Sequence, residues 1–225
     1  MNITGIRNQS WAGLLNVFYI CLNCDLVEAQ GLPLGGYKCR NCGHPSGVRM
    51  FYSVIIPNLI DAIQDFYFLH DRSEVQGDAV RLSLETNPHI VIPLLFCTLE
   101  EVALEDFLHA LMRKQALPLP ARIKLLKEHR TGRQRRLKLF RRLTCRSWDD
   151  ALAEVHEASQ IDFPKTFAFY REVNHARNRF LHAGAQWAIK PNHPQGCIDH
   201  IWPLLKLFVG LHNRFVCVQH RNENM

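Results

Sequence analysis

Two groups of side chains in this chain have the types and spacing that chemistry requires. The first is Arg177-Asn178-Arg179-Phe180-Leu181-His182, which sets an arginine, an amide and a histidine into a stretch that is otherwise strongly apolar. The spacing predicts one helix, and at about 100° per residue Phe167, Tyr170, Val173, Phe180 and Leu181 gather into one arc. Arg177 falls inside that arc. Asn178 and His182, four residues apart, stack at its edge, with Arg171 and His175 beside them. A cation in an apolar stripe requires a partner, an interface or a chemical task. Glu100, Glu101 and Glu105 on an earlier helix are candidate structural partners for Arg177. The catalytic alternative is that arginine holds a phosphate while a histidine that titrates near neutrality moves a proton.

The second group is Cys21-Leu22-Asn23-Cys24 and Cys39-Arg40-Asn41-Cys42, two C-x2-C pairs separated by 14 residues. Each pair can form a turn that presents two thiolates inward, and two such turns complete a tetrahedral S4 site for one Zn2+. Gly43 suits the tight turn after the second pair. Iron also accepts an S4 tetrahedron, but flanking strands and knuckle-like turns favour zinc. Four protein ligands leave no open position, so the expected role is structural; His44 is an alternative fourth ligand and otherwise a surface residue. The remaining Cys97, Cys145, Cys197 and Cys217 are scattered through helical segments and are expected to be small buried hydrophobes.

The formal net charge of +6 conceals an asymmetry. From Arg113 to Arg146 there are 13 Lys or Arg and one acid, Glu128, a local charge of +12, whereas the rest of the chain carries −6. Such a run repels itself unless a polyanion lies against it. Arg130, Arg133, Arg135, Arg136, Lys138, Arg141 and Arg142 are the candidate nucleic-acid contacts, with arginine suited to bidentate phosphate binding. On the same stretches Ile123, Leu125, Leu126, Leu137, Leu139 and Leu143 are expected to face inward.

The elements that must position these groups follow from local patterns. Trp11–Ile20 and Val48–Ile56 read as strands of a small β module over 11–56, with Gly31, Pro33, Gly35 and Gly36 marking turns. Helical spacing begins at Pro57, and Ser73–Asp78 reads as a loop. Asn87-Pro88 predicts an N-cap and first turn, opening a helix to about Gln115 that is either bent at Pro93 or restarted at Thr98 by a capping box to Glu101. Leu117-Pro118-Leu119-Pro120 stops it. Basic helices follow near Ala121–His129 and Gln134–Leu143, then a short helix from Ser147 to about Ser159. The motif helix opens at Pro164, Pro191-Asn192-His193-Pro194 reads as a loop, and Gly196–Gln219 reads as the last helix.

Arg-Asn-x-x-x-His followed by Ala-Gly, near the end of a late helix with aromatic residues leading into it, resembles the Arg-x(4–6)-His motif of HEPN domains. The resemblance covers about residues 88–220. It implies a mainly α fold, a HEPN-like helical bundle at 57–225 preceded by a small β zinc-ribbon module at 1–56. It also implies a metal-independent RNA endoribonuclease of the toxin or antiviral-defence type, with Arg177, His182 and Asn178 as the catalytic set. Two motif helices would meet in one cleft of a homodimer, which would make the apolar arc an interface. Many HEPN proteins controlled by a nucleotidyltransferase carry a tyrosine two residues after the histidine; this chain has Gly184 there, so that mode of control is not implied.

The competing reading is a non-catalytic zinc-ribbon and helical adaptor that binds nucleic acid or a protein partner. A DNA-binding regulator lacks support, because no helix-turn-helix pattern is present. The apolar content of 47% is ample for a core. With no apolar N-terminal run and no stretch of the ~20 residues needed to span a bilayer, the expectation is a cytoplasmic protein without membrane contact. Its expected partners are RNA, a second copy of itself, and a neutralising or activating protein.

Overall fold

The computed structural model of the chain describes residues 18–29, 38–45, 48–53, 55–76, 87–159 and 161–217. The expected strand residues 11–17, the turns at 31–36, the loop residues 77–78 and the chain beyond 217 lie outside them. The protein is mainly helical with a small antiparallel sheet at its N-terminal end. Strands β1 (Phe18–Cys21), β2 (Val27–Ala29) and β3 (Val48–Met50) form one sheet in the order β2-β1-β3. Ile20 is opposite Val27 on one side and Arg49 on the other.

The helices are α1 (Ile55–Gln76), α2 (Pro88–Lys114), α3 (Leu119–Glu128), α4 (Gly132–Gln134), a π-helical stretch (Arg135–Phe140), α5 (Arg141–Thr144), α6 (Trp148–Glu157), α7 (Phe163–Ala183) and α8 (His193–Phe215). Helix α2 is the centre of the bundle and packs on α1, α7 and α8. It is hydrophobic nearly all round, as a helix surrounded by neighbours must be. Asn87 caps it by accepting the His89 N–H at 3.0 Å, with Pro88 in the first turn. No restart occurs at Thr98. Its hydroxyl donates back to the Leu94 carbonyl at 3.0 Å inside an unbroken helix, and Pro93 sits within the same 27 residues.

Three further boundaries differ from expectation. Helix α1 begins at Ile55 and continues to Gln76, through most of the expected loop at 73–78. His193 and Pro194 are not loop residues but the first turn of α8, where proline's missing N–H costs nothing. Ile123 and Leu137 are exposed, whereas Leu126, Leu139 and Leu143 enter the core. Between α4 and α5 the π-helical turn carries Arg136, Leu139 and Phe140 to the buried side.

One continuous core joins the sheet to the bundle. Phe18, Ile20, Val27 and Tyr52 belong to the same buried cluster as Ile92, Leu104, Phe107 and Leu205. The Phe18 ring lies 5.1 Å from Trp202 on α8, and the Tyr52 hydroxyl donates to the Leu205 carbonyl at 2.5 Å. Among the described residues, no helix is long and apolar enough to cross a membrane.

Candidate functional site

The cysteine centre is built by two reversals of the chain. After Cys21, Asp25 adopts φ 58° and donates its N–H to the Cys21 carbonyl at 3.0 Å, while Cys21 N–H donates to Leu26 O at 2.8 Å. After Cys39, Gly43 adopts φ +66°, a left-handed conformation that glycine takes without a Cβ clash, and its N–H donates to Cys39 O at 2.8 Å. Cys21, Cys24, Cys39 and Cys42 thereby converge, with all four sulfurs within 4.8 Å of one another. The Cys21–Cys42 and Cys24–Cys39 sulfurs are 3.9 and 3.6 Å apart. An ion about 2.3 Å from each of four thiolates makes a tetrahedron with edges of roughly 3.8 Å, so the donor set fits a metal ion in both chemistry and size.

The surroundings act in opposite directions on two of the thiols. The Asn23 side chain and the His44 backbone bring the Cys42 thiol down to about 6, while burial pushes Cys24 up. A ligand must lose its proton to bind, so a metal ion offsets the burial cost at Cys24. His44 is exposed and does not belong to the cluster. Of the four cysteines outside the motif, Cys97 and Cys197 are buried in helices as expected, whereas Cys145 is exposed in a left-handed turn. Cys217, just beyond α8, packs against Cys21, Cys24 and Cys39.

Helix α8 fastens this centre to the bundle through residues that carry no motif. The His212 ring Nε2 donates to Asp25 O at 3.0 Å. The Asn213 carboxamide takes both backbone groups of Val27, accepting its N–H at 2.7 Å and donating to its carbonyl at 2.8 Å. Asn41 Nδ2 lies 3.6 Å from Cys217 Sγ.

The motif helix α7 starts at an Asp162 cap, whose carboxylate accepts Lys165 N–H at 2.9 Å, and ends at Gly184 with φ +63°. Phe167, Tyr170 and Val173 are buried, as the arc requires. Leu181 is not; it is 53% exposed, whereas the neighbouring Phe180 is half-buried against the cluster of Ile90, Ala176 and Ile189. Arg177 is half-buried, and its guanidinium donates to Glu101 on α2 at 2.8 Å and to Asn174 at 3.4 Å. Asn178, His182 and His175 are exposed. Neither Asn178 nor His182 has a side-chain hydrogen bond among the described residues. Nearby, the Arg179 guanidinium lies 4.1 Å from the centroid of Trp187, a ring that is 71% exposed.

A fully buried histidine stands beside the motif helix where the sequence suggested a loop. His193 Nε2 lies 3.3 Å from Glu172 of α7, its Nδ1 accepts Lys190 N–H at 3.2 Å, and Lys190 Nζ donates to the same carboxylate at 2.6 Å. Burial holds the His193 imidazole below the ordinary histidine range, and Glu172 offsets this in part. The unfolded chain therefore binds a proton near pH 6.5 that the folded chain refuses. This contribution to stability is complete above that pH and lost as pH falls below it, by up to about 1.4 kcal/mol per pH unit. Melting temperatures of His193→Asn between pH 7 and 5 should show a flatter pH dependence than those of the parent protein. Parallel curves would remove His193 as a source of acid sensitivity.

The basic segment divides into two populations. Arg130, Arg133, Lys138, Arg141 and Arg142 are exposed, and their side chains take no acidic partner among the described residues. Arg135 is instead held by Glu105 at 2.8 Å and by the His129 carbonyl at 3.1 Å. Arg136 is not a surface contact. It is 7% exposed, donates to the fully buried Glu100 at 2.5 Å, and its guanidinium carbon lies 5.2 Å from the centroids of both Phe167 and Tyr170. The three glutamates considered for Arg177 thus each take a different arginine. Comparisons with protein-family models, with curated proteins and with solved structures find no match to this chain.

Proposed function

We propose that the chain is a metal-independent RNA endoribonuclease of the HEPN type, acting as a homodimer in the cytoplasm as a toxin or antiviral effector. The observation that carries this reading is Arg177. Its guanidinium is oriented by Glu101 and Asn174, yet stays partly open to solvent on the helix that displays Asn178 and His182. A guanidinium has five donors, so the pairing leaves some for a phosphate.

In the proposed reaction, His182 takes the proton of a ribose 2′-hydroxyl. The 2′-oxygen attacks the adjacent phosphorus, Arg177 stabilises charge on the pentacoordinate phosphoryl group, and Asn178 binds a phosphate oxygen or orients His182. The P–O5′ bond breaks, and the leaving oxygen takes a proton from a second acid. One histidine does not serve both ends of a single step, so His182 of a second copy is assigned to the leaving group. The products carry a 2′,3′-cyclic phosphate and a 5′-hydroxyl. The exposed cations Arg130, Arg133, Lys138, Arg141 and Arg142 supply long-range attraction for the RNA backbone. The metal in the cysteine centre is assigned as zinc in a structural role, on the S4 donor set and its knuckle-like turns.

The test is RNA cleavage in magnesium-free buffer with chelator, using protein whose S4 metal content has been verified, beside Arg177→Ala and His182→Ala. Cleavage is expected in the parent and a loss of about 100-fold or more in both variants. Equal activity in all three would sink the site assignment. Tight RNA binding without cleavage would transfer the proposal to the adaptor reading, for which the exposed basic segment is the supporting observation.

A further inference from the structure

A cleft of about 360 Å3 opens where the sheet meets α2, α3 and α8, remote in the chain from the motif helix. Its floor is apolar, made by the buried Ile20, Phe107 and Phe208, with Phe51 beside them. Its rim is charged, made by Asp106, His109 and Arg113 of α2 and Arg122 of α3. An apolar floor with a few convergent polar groups is the composition of small-molecule sites, and the volume lies at the low end of their ~300–1,000 Å3 range.

The charges on the rim are unbalanced in use as well as in number. Asp106 accepts the Ser53 hydroxyl at 3.1 Å, and the neighbouring Glu105 is engaged by Arg135. Arg113 and Arg122 have no ion-pair partner among the described residues. Arg122 Nε is shielded from solvent with no hydrogen-bond partner among the described residues, so burial holds this guanidinium with its remaining N–H groups as its donors. Two guanidiniums lining one cleft match a dianionic phosphate. Burial, with Arg122 and Arg113, holds the His109 imidazole below its ordinary value against the opposing pull of Glu105 and Asp106.

We propose that this cleft binds one nucleoside monophosphate group, its phosphate held by Arg113 and Arg122 and its base laid over Phe51, the half-buried ring of the lining. The Asp106 carboxylate and the His109 ring are the partners for hydroxyl and N–H donors of the ribose and base. A purely anionic ligand would leave the apolar floor bare and meet Asp106 with like charge. A purely apolar one would leave the Arg113 and Arg122 guanidiniums without an acceptor. A nucleotide answers both, because an aromatic base covers the Phe51 ring while the phosphate takes the arginines. The size admits one nucleotide, either free or at the 5′-phosphorylated end of an RNA. This site does not depend on the proposed cleavage reaction, since no residue of α7 lines it.

The experiment is calorimetric titration of the protein with AMP, with a 5′-phosphorylated, 2′-O-methylated tetraribonucleotide that has no 2′-hydroxyl to attack, and with inorganic phosphate, repeated on Arg122→Gln, Arg113→Gln and Lys165→Gln. Saturable one-to-one binding is expected for AMP or the oligonucleotide, and the tighter of the two identifies the source. Inorganic phosphate should bind more weakly than both. Arg122→Gln, folded by circular dichroism, should weaken binding about tenfold or more, and Lys165→Gln, an exposed cation of α7 outside the cleft, should leave it unchanged. The proposal is overturned if neither nucleotide saturates, if both arginine variants bind as the parent does, or if Lys165→Gln weakens binding as much as Arg122→Gln.

Discussion

Glu100→Ala is expected to lower the unfolding free energy by about 3–5 kcal/mol, among the largest effects of any single side-chain change in the bundle. The carboxylate is fully buried at the centre of α2 and its partner Arg136 is 7% exposed, so truncating one leaves the other charged and desolvated. Burial pushes the Glu100 carboxyl up and Arg136 holds it back, so the charged state depends on the partner. Arg136→Met should cost a similar amount for the mirror reason. Combining Glu100→Leu with Arg136→Met should recover much of the loss, because an apolar pair avoids the desolvation that the ion pair must offset. Chemical denaturation of the parent, Glu100→Leu, Arg136→Met and the double variant measures this directly. Additive losses in the double variant would mean that the two groups do not act as a pair.

Cys39→Ser is expected to abolish retention of one metal ion per chain and to lower the melting temperature of the whole protein. Metal binding in small sites of this type contributes on the order of 10 kcal/mol to folding, and three strands of three or four residues offer little else. The effect should extend beyond the cysteines because Phe18, Ile20, Val27 and Tyr52 share a core with α2 and α8. Elemental analysis and a thermal melt read the two parts. A variant that melted with the parent would show that the sheet is held by packing alone.

What the sequence made legible was local. The Asn87-Pro88 start and the helix start at Ser147 rest on one or two residues and their own backbone, and each stands where its pattern indicates. The cysteine pairs are legible for the same reason, since each C-x2-C turn positions its two thiols locally. The partners chosen across the bundle were not legible. Glu100, Glu101 and Glu105 are near neighbours on α2, and which arginine each receives depends on how the segment after α3 folds back. The π-helical turn there is what converts Arg136 from an expected surface cation into a core residue, and helical periodicity contains no signal for it. His193 was misread because Pro191 and Pro194 look like loop residues, although a proline at 194 equally suits the first turn of a helix. Asn213 and His212 gave no warning at all, because an amide and an imidazole near a helix end are ordinary.

The Asn213 carboxamide has a meaning that concerns other molecules as well as this one. Val27 lies on β2, the outer strand on that side among the described residues, and both of its backbone groups meet Asn213. An outer strand with open N–H and C=O groups is a template on which another chain can add a strand. Here a side chain imitates that added strand, matching one donor and one acceptor, so the position is filled from within the fold. At Val27 the small sheet is therefore closed to strand exchange, and it is a helix that closes it.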